Sequence, residues 1–512
     1  MMLTSLILVP LLGAIAVMFV PRGEDNRNVK TLAFGVSLLT LAMSLAMIAA
    51  FDINSGGVQL VEKYEWIPFI GAWYALGING TGLVLILLTT ILTPIVMLAS
   101  WRDDLPDPSR THAYFAWMLV LQALAIGVFA ATDVFLFYVF FEATLVPLYF
   151  LIGAHGGAGR SKAAVKFLIY NLVGGLIMLA SIIGLYVIST QQGGPSFLHA
   201  DLAALDIPKN TEKWLFVGFF IAFAIKAPMF PLHTWLPDAA EAAKPGTSVL
   251  MVSVIDKIGT FAMIRWCLEI FPNASEWASP VVMVLAVVSI IYGALLAMGQ
   301  SDIRRLIAFT SVSHFGFIVL GIFAFTSTSM AGSILYMFNH GLSTAVLFLV
   351  TGMMISRRGS GLISDFGGVQ KIAPVLSGIF LVGGLSSLSL PGTAPFVSEY
   401  LVFVGTYARS IPLAAIAASA MVLAALYILL TYQRTMNGPL NPEAEGVTDL
   451  TSRETAALTP AVILIIALGF MPQILLNVID PVVEPVLSHV GVEDPAPRAT
   501  INLDAQTEGT HE

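Results

Sequence analysis

Charged residues are scarce in this sequence, making up 11% of 512 residues against 57% hydrophobic ones. A soluble domain carries about 25% charged residues, so a soluble fold is excluded and a membrane protein with many spans is implied. Cysteine is all but missing. Cys267 stands alone, which leaves no intrachain disulfide, no thiolate metal site and no iron–sulfur cluster to be built from this chain. There is no basic run or aromatic–basic patch, so nucleic-acid binding has no support. A nucleophile–base triad, a phosphate-binding glycine loop and metal-ligand spacing are absent as well; Gly156, Gly157 and Gly159 read as turn residues between spans. The net charge of −8 carries little weight, because charge is confined to loops and a few interior points.

What the chain has in abundance is apolar runs of membrane length, about 20 residues each. They fall near 3–20, 30–50, 78–100, 112–131, 133–153, 164–189 and 214–236, then near 246–268, 278–299, 303–325, 331–355, 373–407, 412–433 and 456–479. That makes about fourteen transmembrane helices in an all-α polytopic membrane protein. The first run, LTSLILVPLLGAIAVMF, has neither a basic leader nor a small-residue cleavage site, so it reads as a retained span rather than a signal peptide.

Loop charge orients the spans. With the N-terminus outside, the inner loops hold most of the 24 basic residues, among them Arg22, Arg102, Lys162, Lys244, Arg304, Arg305, Arg357, Arg358 and Arg453. The outer loops hold only Lys63, Lys209, Lys213, Arg409 and Arg498. By the positive-inside rule both termini are expected on the outer side, and the long charged loops suggest a bacterial cytoplasmic membrane. The acidic, proline-containing stretch after Pro481 is expected to be a poorly ordered exterior tail.

Two windows are interrupted. In WLFVGFFIAFAIKAPMFPLHTWLPDA, Lys226 ends an apolar stretch and Pro228 and Pro231 follow. In LSLPGTAPF, Pro391, Gly392 and Pro395 precede Glu399. No short sequence repeat is visible, but the broken spans, seventh and twelfth, are five apart. An odd offset sets two copies in opposite directions across the bilayer, as in an inverted-repeat transporter with spans 4–8 and 9–13 as its units. The expected divisions are 1–110 for three N-terminal spans, 111–270 and 271–438 for two five-helix repeats, and 439–512 for a loop, the last span and the tail.

An ammonium at membrane depth costs about 2.5–3.5 kcal/mol on insertion scales and normally faces a protein interior or a water-filled path. Lys226 is therefore a functional candidate, and the break beside it frees backbone groups that must line a cavity or find water. Glu142, in DVFLFYVFFEATLVPLYFLIG, is its natural partner, since a lone buried carboxylate prefers to be neutral unless a cation is near. A fixed structural ion pair is the plainer alternative. Lys257 lies too deep in SVLMVSVIDKIGTFAMIRW to snorkel to the interface, and burial makes it able to gain and lose a proton. Asp256 is beside it, but helix neighbours point roughly 100° apart, so a direct pair does not follow.

Three histidines lie inside spans, and a single buried histidine is more often a satisfied core residue than a proton carrier. His314 and His340 have hydrophilic company at helical spacing, however. Thr310 is four residues before His314, and Tyr336 and Thr344 flank His340, as a hydrogen-bonded wire requires. His233, after the first break, is the weaker candidate. Glu399 holds in the second repeat the place that Lys226 holds in the first. An acid–base relay across the bilayer, through Glu142, Lys226, Lys257, His314, His340 and Glu399, is the simplest chemistry that uses these groups. Protons are favoured over a bound cation because the residues alternate in charge type and include histidine.

The stretches KAPMFPLHTWLPDA, GQSDIRRLIAFTSVSHFGF and LSLPGTAPFVSE, with the Glu142 and Lys257 spans, resemble the antiporter-like membrane subunits of respiratory complex I. The resemblance covers roughly residues 75–435 and is nearest to the subunit M branch of NADH–quinone oxidoreductase. It implies a fourteen-span fold with inverted five-helix repeats, Glu142 and Lys226 as an inner-side charge pair, and Lys257 as a central relay. His314 and His340 would continue the path and Glu399 would be the outer-side terminal group. It implies further that this chain holds no cofactor, that FMN, iron–sulfur clusters and quinone belong to partner subunits, and that subunits L and N are lateral neighbours in the lipid bilayer.

Subunits L and N and the multisubunit antiporters typically place lysine where Glu399 stands. Subunit L adds a long C-terminal lateral helix, for which nothing after residue 480 offers a sequence. Two stretches depart from the family: DAAEAAKPGTSV replaces a segment that usually contains a histidine and an EAP triplet, and Asp256 stands at a position that is commonly apolar. The alternatives are a subunit of a Na+(K+)/H+ antiporter, which needs several oxygen ligands for its cation, and the membrane arm of an energy-converting hydrogenase. A structural subunit that keeps the relay residues without conducting is a third.

Overall fold

The structure, a computed structural model, describes residues 1–21, 23, 26–103, 105 and 107–495. Arg22 and Arg498, used in the loop-charge argument, lie outside the described residues, as does the acidic stretch from 496 onward. Among the described residues twelve helices are long and apolar enough to cross a membrane. The two remaining windows are the interrupted ones, each folded as two helices: Lys209–Lys226 then Trp235–Ala242, and Pro374–Ser387 then Ala394–Arg409. Pro228 and Pro231 bring no N–H to continue the first helix, and Ala227 leaves helical geometry at φ −87°, ψ 89°. In the second break Ser389 at φ 58° and Gly392 at φ 94° turn the backbone through the left-handed region. One further element, with no apolar run to announce it, is an antiparallel hairpin of Gln59–Ile67 and Ala72–Ile78, with Tyr64 opposite Tyr74.

Burial sorts the helices. The most apolar windows of Pro245–Leu268, Ile303–Phe323 and Ser327–Arg358 are 100% buried, against 39% for Met2–Phe19 and 28% for Arg27–Ile48. The first helix turns Leu8, Leu12, Ile15 and Phe19 to the surface, where lipid would cover them. The three central helices are the ones that carry Lys257, His314 and His340. An ionisable side chain at mid-depth is costly against lipid, and that cost keeps these helices in the middle of the bundle.

The two broken helices stand in matching local frames. Asp133 caps Val134–Gly153 by accepting from the N–H groups of Phe135 and Leu136, and its backbone bridges to Leu198. Asp302 caps Ile303–Phe323 by accepting from the N–H groups of Arg304 and Arg305, and its backbone bridges to Leu362. In each case one long helix intervenes, Arg160–Gln192 or Ser327–Arg358, and the broken helix follows the bridge. The caps lie at opposite ends of the bundle. Thr132 and Leu198 line a cavity with Arg265, Glu269 and His489, whereas Arg304 lines another with Arg102, Lys244 and Arg453. Helix Pro245–Leu268 runs from the second cavity to the first.

The expected C-terminal tail is overturned in part. Helix Gln473–Val490 runs straight through Pro481 and Pro485 and buries Leu475, Ile479, Val482, Val486 and Val490. That apolar stripe at helical spacing outweighs the two missing N–H groups. The end of the helix is fastened by Ser327, whose N–H and Oγ donate to Asp494 at 2.7 and 2.5 Å.

Candidate functional site

Lys226 is the last residue of helix Lys209–Lys226 and is fully buried. Its Nζ donates to Thr144 Oγ1 at 3.2 Å and lies 4.8 Å from the centre of the Phe141 ring. Both partners belong to Val134–Gly153, which is interrupted at Thr144. Pro147 has no N–H for the Ala143 carbonyl, and this loosens the helix beside Glu142. The Glu142 carboxylate is within electrostatic reach of Lys226, but no ion pair of 4.0 Å or less joins them, and Glu142 Oε1 accepts no hydrogen bond. The expected partners are neighbours, not a contact pair.

Helix Arg160–Gln192 makes room for both. A Cβ on Gly175 would stand 1.7 Å from Glu142 Oε1, and one on Gly174 would stand 2.9 Å from Ile225 Cδ1. Adjacent glycines thus let the carboxylate and the Lys226 helix approach the same stretch of backbone.

Lys257 opens a short α-helical segment, Lys257–Ala262, between π-helical turns at Leu250–Ile255 and Met263–Leu268. Such turns occur frequently at functional sites, because the wider ladder disturbs regular backbone pairing. Here the Val252 carbonyl accepts from Lys257 Nζ at 2.9 Å. Nζ also meets His340 Nδ1 at 2.6 Å and lies 4.6 Å from the centre of the Phe315 ring. Asp256 does not pair with it; both Asp256 oxygens are buried and accept no hydrogen bond.

His340 Nε2 meets Thr344 Oγ1 at 3.1 Å, so both ring nitrogens are engaged. The His314 ring lies edge-on to His340 with 5.1 Å between centres, and 6.0 Å from the Tyr336 ring. The Tyr336 hydroxyl donates to Glu399 Oε2 at 3.1 Å, and the Ser389 hydroxyl donates to the same oxygen. Lys257, His340, His314, Tyr336 and Glu399 are therefore consecutive neighbours through the buried centre. Of the hydroxyls at helical spacing, Thr344 serves His340 and Tyr336 serves Glu399. Thr310 turns back to the Ile307 carbonyl at 2.8 Å and serves neither histidine.

His233 is not brought to this file. Its ring lies among Phe230, Tyr292 and Phe309, with centres 5.2 to 6.2 Å away. Arg265, a further basic residue inside a span, is paired with Glu269 at 2.9 Å, and His199 meets the same carboxylate at 3.0 Å. Among the described residues no group of three or more His, Cys, Asp or Glu could hold a metal ion.

Sequence reasoning missed an ionic cluster on the second half of the first broken helix. Lys166 meets Asp238 at 2.7 Å, and Arg305 meets Asp238 at 2.7 Å and Glu241 at 2.9 Å. Burial pushes the Asp238 carboxyl up, but the two cations more than reverse this and hold it below the usual carboxylate value. The signal was available, since acids three apart share a helix face. Thr144 and Ser389 gave none, because a hydroxyl in a span ordinarily bonds its own helix.

Residues 131–425 match the family described as NADH:quinone oxidoreductase/Mrp antiporter, TM. Subunit M of NADH-quinone oxidoreductase from Mycobacterium tuberculosis is 46% identical, with 99% of each chain covered. The subunit of the same name from Rhodobacter capsulatus is 35% identical, over 94% of this chain and 95% of that one. A chain of respiratory complex I from Thermus thermophilus with bound NADH superposes with a TM-score of 0.87 at 29% identity, covering 96% of this chain and 100% of that one.

Proposed function

The chain belongs to the NADH:quinone oxidoreductase/Mrp antiporter membrane family and is a polytopic subunit of a proton-translocating NADH–quinone oxidoreductase, and from that premise we propose that its own share of the work is a buried acid–base relay. At rest an ionised Glu142 favours a protonated Lys226. Quinone chemistry elsewhere in the complex perturbs that pair, and Lys226 releases its proton toward Lys257. His340, His314 and Tyr336 carry charge onward to Glu399 and the outer side. His233, set apart among aromatic rings, has no step in this path.

The observation that carries the reading is the continuous set of neighbours from Lys257 to Glu399. A second feature supports a movable proton at the start. The Lys226 ammonium rests on a hydroxyl at 3.2 Å, and a bond to a neutral acceptor is weaker than one to a carboxylate.

The same proposal puts residues 111–270 and 271–438 as two inverted five-helix units, with both termini on the outer side of a bacterial cytoplasmic membrane. The matched Asp133 and Asp302 caps at opposite ends of the bundle support that arrangement. FMN, iron–sulfur clusters and quinone are assigned to partner subunits, with subunits L and N as lateral neighbours.

The test is the number of protons pumped per electron by the assembled complex in vesicles, with Glu142→Gln, Lys226→Ala or Glu399→Ala in this chain. A lowered ratio is expected for each. Unchanged pumping per electron in all three removes the relay.

A further inference from the structure

The relay leaves the carboxylate of Asp256 unused. Asp256 is fully buried, and neither of its carboxylate oxygens has a hydrogen-bond partner. Buried polar groups in folded proteins are nearly always paired, and an unpaired carboxylate is among the most expensive to bury. A residue kept only for packing has no reason to be aspartate here.

Its direction supplies a reason. Lys257 reaches toward His340 and Phe315, and Asp256 points about 100° away around the helix. Asp256 shares a face with Gly259, three positions on. That glycine is pressed against the end of the Lys226 helix: a Cβ there would stand 2.5 Å from the Phe223 carbonyl oxygen and 2.5 Å from the Ala227 nitrogen. The Asp256 face of helix Pro245–Leu268 is thus the face that meets Lys226. Both lysines are within electrostatic reach of the carboxylate. The Lys226 ammonium is therefore within electrostatic reach of two carboxylates, Glu142 from Val134–Gly153 and Asp256 from Pro245–Leu268. The relay is continuous from Lys257 onward, whereas no hydrogen bond joins Lys226 to Lys257, and Asp256 is the carboxylate within electrostatic reach of both.

We infer that Asp256 is a proton-carrying residue that receives the proton of Lys226 and hands it to Lys257. In the first step an N–H bond of the Lys226 ammonium breaks and an O–H bond forms on the Asp256 carboxylate, which leaves both groups neutral. In the second that O–H bond breaks, an N–H bond forms on neutral Lys257, and the carboxylate is restored. No electron is exchanged. The inference rests on the relay described above.

The experiment compares Asp256→Asn, Asp256→Glu and Lys226→Ala in the assembled complex in vesicles, reading protons pumped per electron. The expected result is that Asp256→Asn loses the same share of pumping as Lys226→Ala, and that Asp256→Glu restores most of it. Wild-type pumping by Asp256→Asn beside a deficient Lys226→Ala overturns the Asp256 step and leaves the relay standing. Wild-type pumping by Lys226→Ala removes the relay, and the Asp256 step with it. If Asp256→Asn does not assemble, infrared difference spectra on adding NADH decide between wild type and Asp256→Glu. A protonated-carboxyl band that shifts between the two supports the step, and identical spectra overturn it.

Discussion

Lys257 Nζ and His340 Nδ1 stand 2.6 Å apart, and this contact joins the half of the chain with the first broken helix to the half with the second. When Lys257 is an ammonium it has only donors, so Nδ1 accepts and Nε2 carries the hydrogen toward Thr344. A proton that leaves Lys257 therefore has a basic nitrogen waiting for it.

His340→Phe keeps a ring of similar size and removes that nitrogen. Lys257 is then left with the Val252 carbonyl as its hydrogen-bond acceptor, and a buried donor deprived of a partner costs about 1–3 kcal/mol. Protons pumped per electron are expected to fall to the level of Lys257→Ala, with the double substitution falling no further, as residues acting as one unit do. Losses that add would make the two residues independent carriers.

Gly175→Ala tests the space around Glu142. The new Cβ would stand 1.7 Å from Glu142 Oε1, so the carboxylate must move away from its present site. The variant is expected to pump poorly even though no titratable group has changed. Gly378→Ala is the control: nothing lies within 4 Å of its new Cβ, and alanine in a helix interior is favoured over glycine by about 1 kcal/mol. Assembly of the complex on native gels and its pumping ratio should separate the two. Equal behaviour of both variants would mean that Glu142 does not need its position.

The span pattern and the two breaks were legible because an apolar run has few uses outside a membrane, and a charge beside prolines in such a run has few bland explanations. Lys226 and Glu399 stood out for that reason, and Lys257 because it lies too deep in its run to snorkel. The distance between Glu142 and Lys226 was not legible, since it depends on three helices and on Gly174 and Gly175, which look like any glycines in a span. The hairpin Gln59–Ile67 with Ala72–Ile78 was hidden by its mixed polarity. Helix Gln473–Val490 was hidden by Pro481 and Pro485, although its buried stripe was present in the sequence.

Asp238 predicts a pH dependence of stability. Its carboxyl is held below the ordinary value by Lys166 and Arg305 against the effect of burial. A depressed acid contributes stability that is present above the ordinary value, about 3.9, and lost as pH falls through the folded one. The groups are partly exposed, so the contribution is modest, about 1 kcal/mol or less per pair. In thermal scans of the purified complex, Asp238→Asn should melt lower at neutral pH and lack the extra loss that wild type shows below about pH 4. Parallel acid profiles would assign that sensitivity to other groups.

Tyr336 and Ser389 both donate to Glu399 Oε2, but they stand differently in the path. Tyr336 comes from the central helix Ser327–Arg358, and its ring also neighbours His314 at 6.0 Å. Ser389 lies in the second break at φ 58° and donates to the same oxygen from there. Tyr336→Phe keeps the ring and removes the hydroxyl that links histidine to carboxylate. A hydrogen bond to a charged group contributes about 1.5–3 kcal/mol, and losing that much at the transfer step slows it by roughly ten- to a hundredfold. The deficit should show as a pumping ratio that drops as turnover is raised with NADH, because a slow transfer fails first when the complex cycles quickly. Ser389→Ala leaves the Tyr336 link intact and should hold its ratio across the same range. A Tyr336→Phe ratio that stays at the wild-type value at every turnover rate would show that protons reach Glu399 by a route that bypasses the tyrosine.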